Sequence, residues 1–280
     1  MGKKTKFRQQ STKQHVQPAP EAARFKLAVW TPSLTGTFTS GYVNSILRMQ
    51  VECQRVGGKF SWGVVPGISI LPVARNRSVV EFLKGDATHF MFLDSDVGVN
   101  AQDVMVCVLS GLDFTALPYS RRAFDPERAL SIIQGTPGIS AKSIASILSR
   151  PAFEFDGTEP KEIDPEVSGL GFVVCDRVGT GAMILRREVF EKMAPIVDEY
   201  LDLMNQAQET ITTKNFFGYS RKEGYFIGED WTFCDHWNSL GEKIYLKVDA
   251  KTSHEGSIQY GYDFEALADI AGKAKDNASS

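Results

Sequence analysis

The stretch His89-Phe-Met-Phe-Leu93-Asp94-Ser95-Asp96 decides the fold class of this 280-residue chain. Its nearly continuous apolar first part predicts a strand that is buried on both faces of a parallel sheet. Two carboxylates follow at once, and ligands of open α/β sheets collect at the carboxyl ends of strands. Alternate carboxylates at that position can hold Mg²⁺ or Mn²⁺ together with phosphate oxygens. The alternative is an Asx-turn or a helix N-cap without a ligand.

Strands and helices alternate on both sides of this stretch. The order predicts an α/β fold with a mixed, mostly parallel sheet flanked by helices. We expect a loop over Thr31–Gly41 and an acidic, loop-like segment over Pro151–Pro165. The predicted strands are 25–30, 60–65, 89–93, 114–117, 171–175, 182–185 and 243–248. The predicted helices are 42–56, 72–85, 101–110, 140–148, 187–205 and 229–240, with short helices near 125 and in the last eighteen residues.

The first 24 residues differ in composition from the rest. They are rich in Gln, Lys, Ser, Thr and Pro, lack apolar periodicity and carry five cations before residue 14. We therefore predict a disordered basic tail over 1–24 and one domain over 25–280.

Overall composition excludes several classes of protein. The net charge is 31 − 34 = −3, and the hydrophobic fraction of 42% is that of an ordinary globular protein. A basic coat for nucleic acid is therefore excluded. No window is apolar enough for a membrane span, and no apolar region follows the N-terminal charges, so we expect a cytoplasmic protein without a membrane partner. The four cysteines are too far apart for a zinc knuckle, which favours buried, reduced thiols.

An acidic pair, Glu229 and Asp230, lies where a loop enters a predicted helix. One of them can act as a general base toward a hydroxyl group. The alternative is a favourable charge at the positive end of the helix dipole.

Three weaker features complete the candidate site. The glycines of Val178-Gly-Thr-Gly181-Ala indicate a close backbone approach to a ligand, or a tight turn. Arg75 and Arg77 can contact phosphate, or form structural ion pairs. His254 follows the last strand, and its role depends on whether the fold brings it to Asp94 and Asp96.

In this order, these motifs resemble a glycosyltransferase of the GT-A type, the nucleotide-sugar-dependent class with an Asp-x-Asp motif. The resemblance spans residues 25–258 and includes the polar loop Thr31-Pro32-Ser33 and Gly228-Glu229-Asp230-Trp231. It implies a GT-A-like, Rossmann-type fold and a nucleoside-diphosphate sugar as donor, UDP-linked by analogy.

The resemblance also implies a role for each candidate residue. Asp94, Asp96 and His254 would hold Mn²⁺ or Mg²⁺, and Asp230 or Glu229 would be the general base. The nucleotide would contact Thr31, Ser33, Arg75 and Arg77, and the sugar pocket would be lined by Gly179, Thr180, Gly181 and Ala182.

The small size and basic tail resemble phage-type glycosyltransferases that modify hydroxymethylated pyrimidines in DNA. We therefore expect 5-hydroxymethylcytosine in double-stranded DNA as acceptor, with Arg121 and Arg122 on a DNA-facing edge, in a bacterial or phage-infected cell. The alternatives are a glycan, lipid or protein acceptor, a non-catalytic nucleotide- or glycan-binding protein, and a nucleotidyltransferase.

Overall fold

The computed structural model describes residues 25–140, 144, 146–155, 165–202 and 210–256. The predicted tail, the predicted C-terminal helix and part of the helix predicted over 140–148 lie outside these residues. The strands are β1 (Lys26–Ser33), β2 (Lys59–Pro66), β3 (His89–Leu93), β4 (Val97–Val99), β5 (Phe114–Ala116), β6 (Ser120–Phe124), β7 (Ser149–Pro151), β8 (Phe153–Glu154), β9 (Phe172–Cys175), β10 (Arg177–Val178), β11 (Ala182–Arg186), β12 (Glu199–Asp202), β13 (Ile211–Lys214), β14 (Ser220–Lys222), β15 (Tyr225–Ile227), β16 (Ile244–Lys247) and β17 (Thr252–His254).

Helices connect these strands. They are α1 (Ser40–Arg55), α2 (Leu71–Lys84), α3 (Ala101–Leu109), α4 (Pro126–Gly135), α5 (Pro165–Gly169), α6 (Arg187–Met193) and α7 (Glu229–Ser239). No helix within the described ranges is both long and apolar enough to cross a bilayer.

A seven-stranded sheet organises the fold, in the order β2-β1-β3-β11-β5-β16-β9. β11 and β9 run against the other five strands, so the sheet is mixed and mostly parallel in strand direction. The predicted α/β class, with a mixed, mostly parallel sheet flanked by helices, is confirmed.

Two apolar layers cover the sheet, and the interior strand β3 contributes side chains to both. Because alternate side chains of a strand point to opposite faces, Phe90 and Phe92 enter one layer while Met91 and Leu93 enter the other. This explains why β3 is apolar at successive positions. Helices α2, α6 and α7 cover the first layer, and α1 and α3 cover the second. The four cysteines are buried.

Three predictions of local structure were wrong in part. The segment predicted to be loop-like over Pro151–Pro165 contains the short strand β8. β1 continues to Ser33, so the segment predicted as a loop from Thr31 is part strand. The helix predicted to run from Arg187 to residue 205 ends at Met193 and is followed by β12. Pro195 explains the early end, because it has no backbone N–H to continue the helical hydrogen-bond pattern after Ala194.

Candidate active site

An open cavity of about 650 Å³ lies at the carboxyl end of β3. It is lined by residues from distant parts of the sequence, including Pro32 at the end of β1, Asp94 and Asp96 after β3, and Asp230 in the first turn of α7. The carboxyl ends of these strands meet at one sheet edge, as the open α/β architecture requires.

A tight turn presents the two carboxylates of the Asp-x-Asp motif. The backbone N–H of Asp94 donates to the carbonyl of Gly181 at 3.1 Å, and Val97 N–H donates back to the Asp94 carbonyl at 3.0 Å. The chain thus reverses just after β3 and starts β4. Both Asp94 and Asp96 line the cavity.

Strand pairing brings His254 to this turn. β17 pairs antiparallel with β4, and His254 lies opposite Val97 in the register. Its Nε2 atom is 3.3 Å from Oδ1 of Asp96, and its Nδ1 atom is 2.6 Å from the carbonyl oxygen of Ser120. A carbonyl only accepts, so Nδ1 carries the hydrogen and Nε2 faces the carboxylate.

Asp96 and His254 each stabilise the charged form of the other. Burial lowers the pKa of His254, but the hydrogen bonds to Asp96 and to the Ser120 carbonyl outweigh burial and raise it. Burial raises the pKa of Asp96, but His254 and Arg122 outweigh burial and lower it. Arg122 donates from Nη1 to the second oxygen, Oδ2, at 2.7 Å. Both oxygens of Asp96 therefore have a cationic or imidazole partner.

The donor set of the predicted metal site has the right chemistry but is not preassembled. Carboxylate oxygens and an imidazole nitrogen suit Mn²⁺, and a backbone carbonyl that anchors the other ring nitrogen is typical of histidine ligands. In the part of the chain that the structure describes, however, no three His, Cys, Asp or Glu side chains form a cluster that would hold a metal ion. A cation at Asp96 would compete with Arg122 for the Oδ2 atom.

Arg75 is almost fully buried in the cavity lining and joins Asp94 to Glu229. Its Nη1 lies 3.4 Å from Oδ1 of Asp94, and its Nε lies 3.2 Å from Oε1 of Glu229. Its guanidinium also lies over the ring of Phe92, 5.2 Å from the centroid. Burial lowers the pKa of Arg75, but the neighbouring carboxylates outweigh burial and raise it. Arg75 remains charged and holds the two acidic groups in place.

The fold separates the roles of Glu229 and Asp230. Glu229 is buried against Arg75, whereas Asp230 lines the cavity. Burial and the charge of Glu229 raise the pKa of Asp230. Its Oδ1 also accepts a hydrogen bond from the Trp231 N–H at 2.8 Å. Asp230 is thus the member of the pair that can exchange a proton with a bound molecule.

The Gly-Thr-Gly segment does not line the cavity, contrary to expectation. Gly179, Thr180, Gly181 and Ala182 are all buried. A β-carbon at Gly179 would lie 2.0 Å from the Tyr119 hydroxyl oxygen, and one at Gly181 would lie 2.7 Å from the ring carbon Cζ. The Gly181 N–H donates to the Tyr119 hydroxyl at 3.0 Å. The close backbone approach is to Tyr119, which itself lines the cavity.

Three further predicted nucleotide contacts have protein partners instead. The Thr31 hydroxyl is buried and lies 2.6 Å from the hydroxyl of Tyr42. Ser33 is buried at the end of β1 and donates to the Thr37 carbonyl at 3.4 Å. Arg77 donates through both Nε and Nη2 to Asp202, with 2.8 Å for the second contact. None of the three lines the cavity, although Pro32 between the first two does.

Several cavity residues were not predicted from the sequence. Tyr119 follows β5 at the same sheet edge, so the rule that ligands collect at strand ends would have identified it. Phe226 and Leu71 carry no such signal, because a single aromatic or leucine in a sequence usually belongs to the core.

Comparison with known proteins adds little to this description. No family model matches the chain, and no curated protein matches it. The crystal structure of A197 from STIV is similar over 83% of this chain and 87% of its own, with 16% identity and a TM-score of 0.46. A glycosyltransferase involved in glycosylation of the major capsid of PBCV-1 matches 59% of this chain and 62% of its own, with 13% identity and a TM-score of 0.29. These similarities do not assign a function to the chain.

Proposed function

We propose that this protein is a glycosyltransferase that moves a sugar from a nucleoside-diphosphate sugar, UDP-linked by analogy, to an acceptor hydroxyl. One observation carries the proposal. Asp96 with His254 and Asp230 line the same open cavity, which offers separate groups for the leaving diphosphate and for the attacking hydroxyl.

The donor end of the cavity would be the Asp-x-Asp side. Asp94, Asp96 and His254 would hold Mn²⁺ or Mg²⁺, which would supply Lewis-acid stabilisation of the diphosphate leaving group. Arg122, which contacts Asp96, lines the same cavity and adds positive charge for phosphate oxygens of the donor. Arg75 keeps Asp94 in position.

Asp230 would act at the acceptor end. The acceptor oxygen attacks the anomeric carbon, the bond from that carbon to the diphosphate oxygen breaks, and the hydroxyl proton passes to the Asp230 carboxylate. The raised pKa of Asp230 makes it a stronger base than an ordinary aspartate. Glu229 does not reach the cavity and acts as a positioning residue through Arg75.

The favoured acceptor is 5-hydroxymethylcytosine in DNA, within the cytoplasm of a bacterial or phage-infected cell. Exposed cations at the cavity favour a polyanionic acceptor over a neutral glycan. The 5-substituent of a pyrimidine projects into the major groove, where an enzyme reaches it directly or after flipping the base.

Release of nucleoside diphosphate tests the proposal. The full chain is incubated with a panel of nucleotide sugars, Mn²⁺ and acceptors. We expect release by the wild type, and its loss in Asp96→Asn and Asp230→Asn. Asp103→Asn, a carboxylate on α3 that does not line the cavity, is the matched control and should retain activity. Equal release by all four proteins would contradict the proposal.

A further inference from the structure

A two-stranded hairpin, β14 with β15, exposes an unusual aromatic patch beside the cavity. Tyr225 is 73% exposed, Phe226 is 65% exposed and Tyr219, just before β14, is 53% exposed. The rings of Tyr219 and Phe226 lie 4.8 Å apart with an interplanar angle of 46°. Aromatic rings exposed together near a cavity indicate a surface that binds something planar or apolar.

The turn holds the hairpin in a defined shape. Its two loop residues, Glu223 and Gly224, have φ values of +53° and +84°. Positive φ at both positions is the mark of a type I′ turn, whose twist matches that of the flanking strands. The exposed rings are therefore presented by a regular hairpin.

The register of the hairpin places a cationic residue opposite each of the two aromatic residues of β15. Arg221 lies opposite Phe226, and Lys222 lies opposite Tyr225. Opposite residues of an antiparallel pair share a face, and successive residues point to opposite faces. Since Phe226 lines the cavity, its face of the hairpin borders the cavity, and Arg221 shares that face. Lys222 and Tyr225 belong to the other face.

Strand β6 contributes further positive charge to the cavity lining. Arg121 is exposed and lines the cavity, with its guanidinium 5.8 Å from the centre of the Trp231 ring. Trp231 lines the cavity next to Asp230. The cavity and the adjoining hairpin face therefore combine aromatic rings with arginines, which is the combination that proteins use to bind single-stranded nucleic acid.

From this arrangement we infer that the acceptor is a polynucleotide whose target base is unpaired and stacks on Phe226 and Tyr219, with neighbouring phosphates on Arg121 and Arg221. This inference rests on the proposed function, because it describes the acceptor side of that reaction. A neutral glycan would use the rings but leave the arginines without partners. A paired base would have both faces covered by its neighbours in the duplex.

Fluorescence anisotropy with a labelled oligonucleotide containing 5-hydroxymethylcytosine tests the inference on the full chain. We expect the single strand to bind about tenfold more tightly than the same sequence as a duplex. Phe226→Ala and Tyr219→Ala should each weaken single-strand binding roughly tenfold, the loss typical of one base-stacking contact. Tyr225→Ala removes an equally exposed ring from the other face and should leave binding unchanged.

Salt dependence isolates the contribution of the arginines. Contacts from Arg121 and Arg221 predict a slope of log affinity against log salt of about −1.4, and Arg221→Ala should reduce its magnitude by about 0.7. Circular dichroism confirms that each variant folds. Equal effects of Phe226→Ala and Tyr225→Ala, or tighter binding of a neutral oligosaccharide panel than of DNA, would overturn the inference.

Binding and turnover separate this inference from the proposed function. If nucleotide sugars are consumed and the oligonucleotide does not bind, the inference fails while the glycosyltransferase proposal stands. If the oligonucleotide binds through Phe226 but no nucleotide sugar is consumed on any acceptor, the binding surface stands and the proposed reaction fails.

Discussion

The Nε2 atom of His254 lies 3.3 Å from Oδ1 of Asp96, although the two residues come from opposite halves of the chain. The pairing of β17 with β4 produces this contact, and the Ser120 carbonyl fixes the imidazole from its other side. Arg122 engages the second oxygen of the same carboxylate. Asp96 is therefore the point where three segments of the chain meet in the cavity.

Removal of Arg122 should strengthen divalent-cation binding. Its guanidinium competes with a cation for Asp96 Oδ2, and an exposed ion pair of this kind contributes about 0.2–1 kcal/mol. Arg122→Ala should therefore bind Mn²⁺ up to about fivefold more tightly by titration calorimetry. Arg121→Ala, which removes a neighbouring arginine for which the structure gives no ion pair with Asp96, is the control. Unchanged or weaker Mn²⁺ binding in Arg122→Ala would show that the guanidinium does not compete.

Asp230 and Glu229 should respond differently to neutralisation. Asp230→Asn should lower kcat by about 100- to 10,000-fold with little change in nucleoside-diphosphate affinity, because only the proton acceptor is lost. Glu229→Gln should instead destabilise the fold by about 3 kcal/mol, because buried Arg75 loses one of its two charged partners. Steady-state kinetics and guanidinium unfolding distinguish the two. A larger kcat loss in a folded Glu229→Gln protein would reverse the assignment of the base.

The glycines beneath Tyr119 provide a test of packing. Gly179→Ala and Gly181→Ala should each lower the free energy of unfolding by about 1–3 kcal/mol, because the new methyl group meets the ring. Gly179 approaches the hydroxyl oxygen, so Tyr119→Phe should relieve part of the Gly179→Ala defect. At Gly181 the closest atom is the ring carbon, at 2.7 Å, and the hydroxyl oxygen is farther away at 3.0 Å, so the same change should rescue Gly181→Ala less. Equal rescue of both variants would contradict the described packing.

His89, at the start of β3 and away from the cavity, should make the fold sensitive to acid. Burial and the charge of Arg186 lower its pKa to about 4. The unfolded chain binds this proton below pH 6.5 and the folded chain does not, so stability rises with pH across that window. As pH falls from 6.5 toward 4, this group alone should remove up to about 3 kcal/mol.

The control for the pH dependence of stability is the variant His89→Asn. Urea unfolding between pH 4 and 7 should show a shallower pH dependence in His89→Asn than in the wild type. Parallel curves for the two proteins would mean that His89 is not buried in its neutral form.

Local sequence patterns predicted those parts of the fold that depend on local chemistry. The apolar run before Asp94 predicted the interior strand β3, and the helices that begin near Pro72, Ala101 and Glu229 were predicted within one or two residues. Where a local signal was overlooked, as with Pro195, the prediction extended the helix too far.

Contacts between residues that are far apart in the sequence could not be predicted from local patterns. Nothing near His254 indicates that β17 will pair with β4, and nothing near Glu229 indicates that Arg75 will draw it away from the cavity. The Gly-Thr-Gly pattern predicted a close backbone approach to a ligand or a tight turn, whereas the fold shows a close approach to the side chain of Tyr119.

Mass spectrometry of the acceptor shows directly whether the protein transfers a sugar to a polynucleotide. A single-stranded oligonucleotide containing 5-hydroxymethylcytosine is incubated with the full chain, Mn²⁺ and a panel of nucleotide sugars. The account predicts that the oligonucleotide gains the mass of one sugar residue with the wild type and gains nothing with Asp230→Asn. Intact nucleotide sugars together with an unchanged oligonucleotide mass in the wild-type reaction would contradict it.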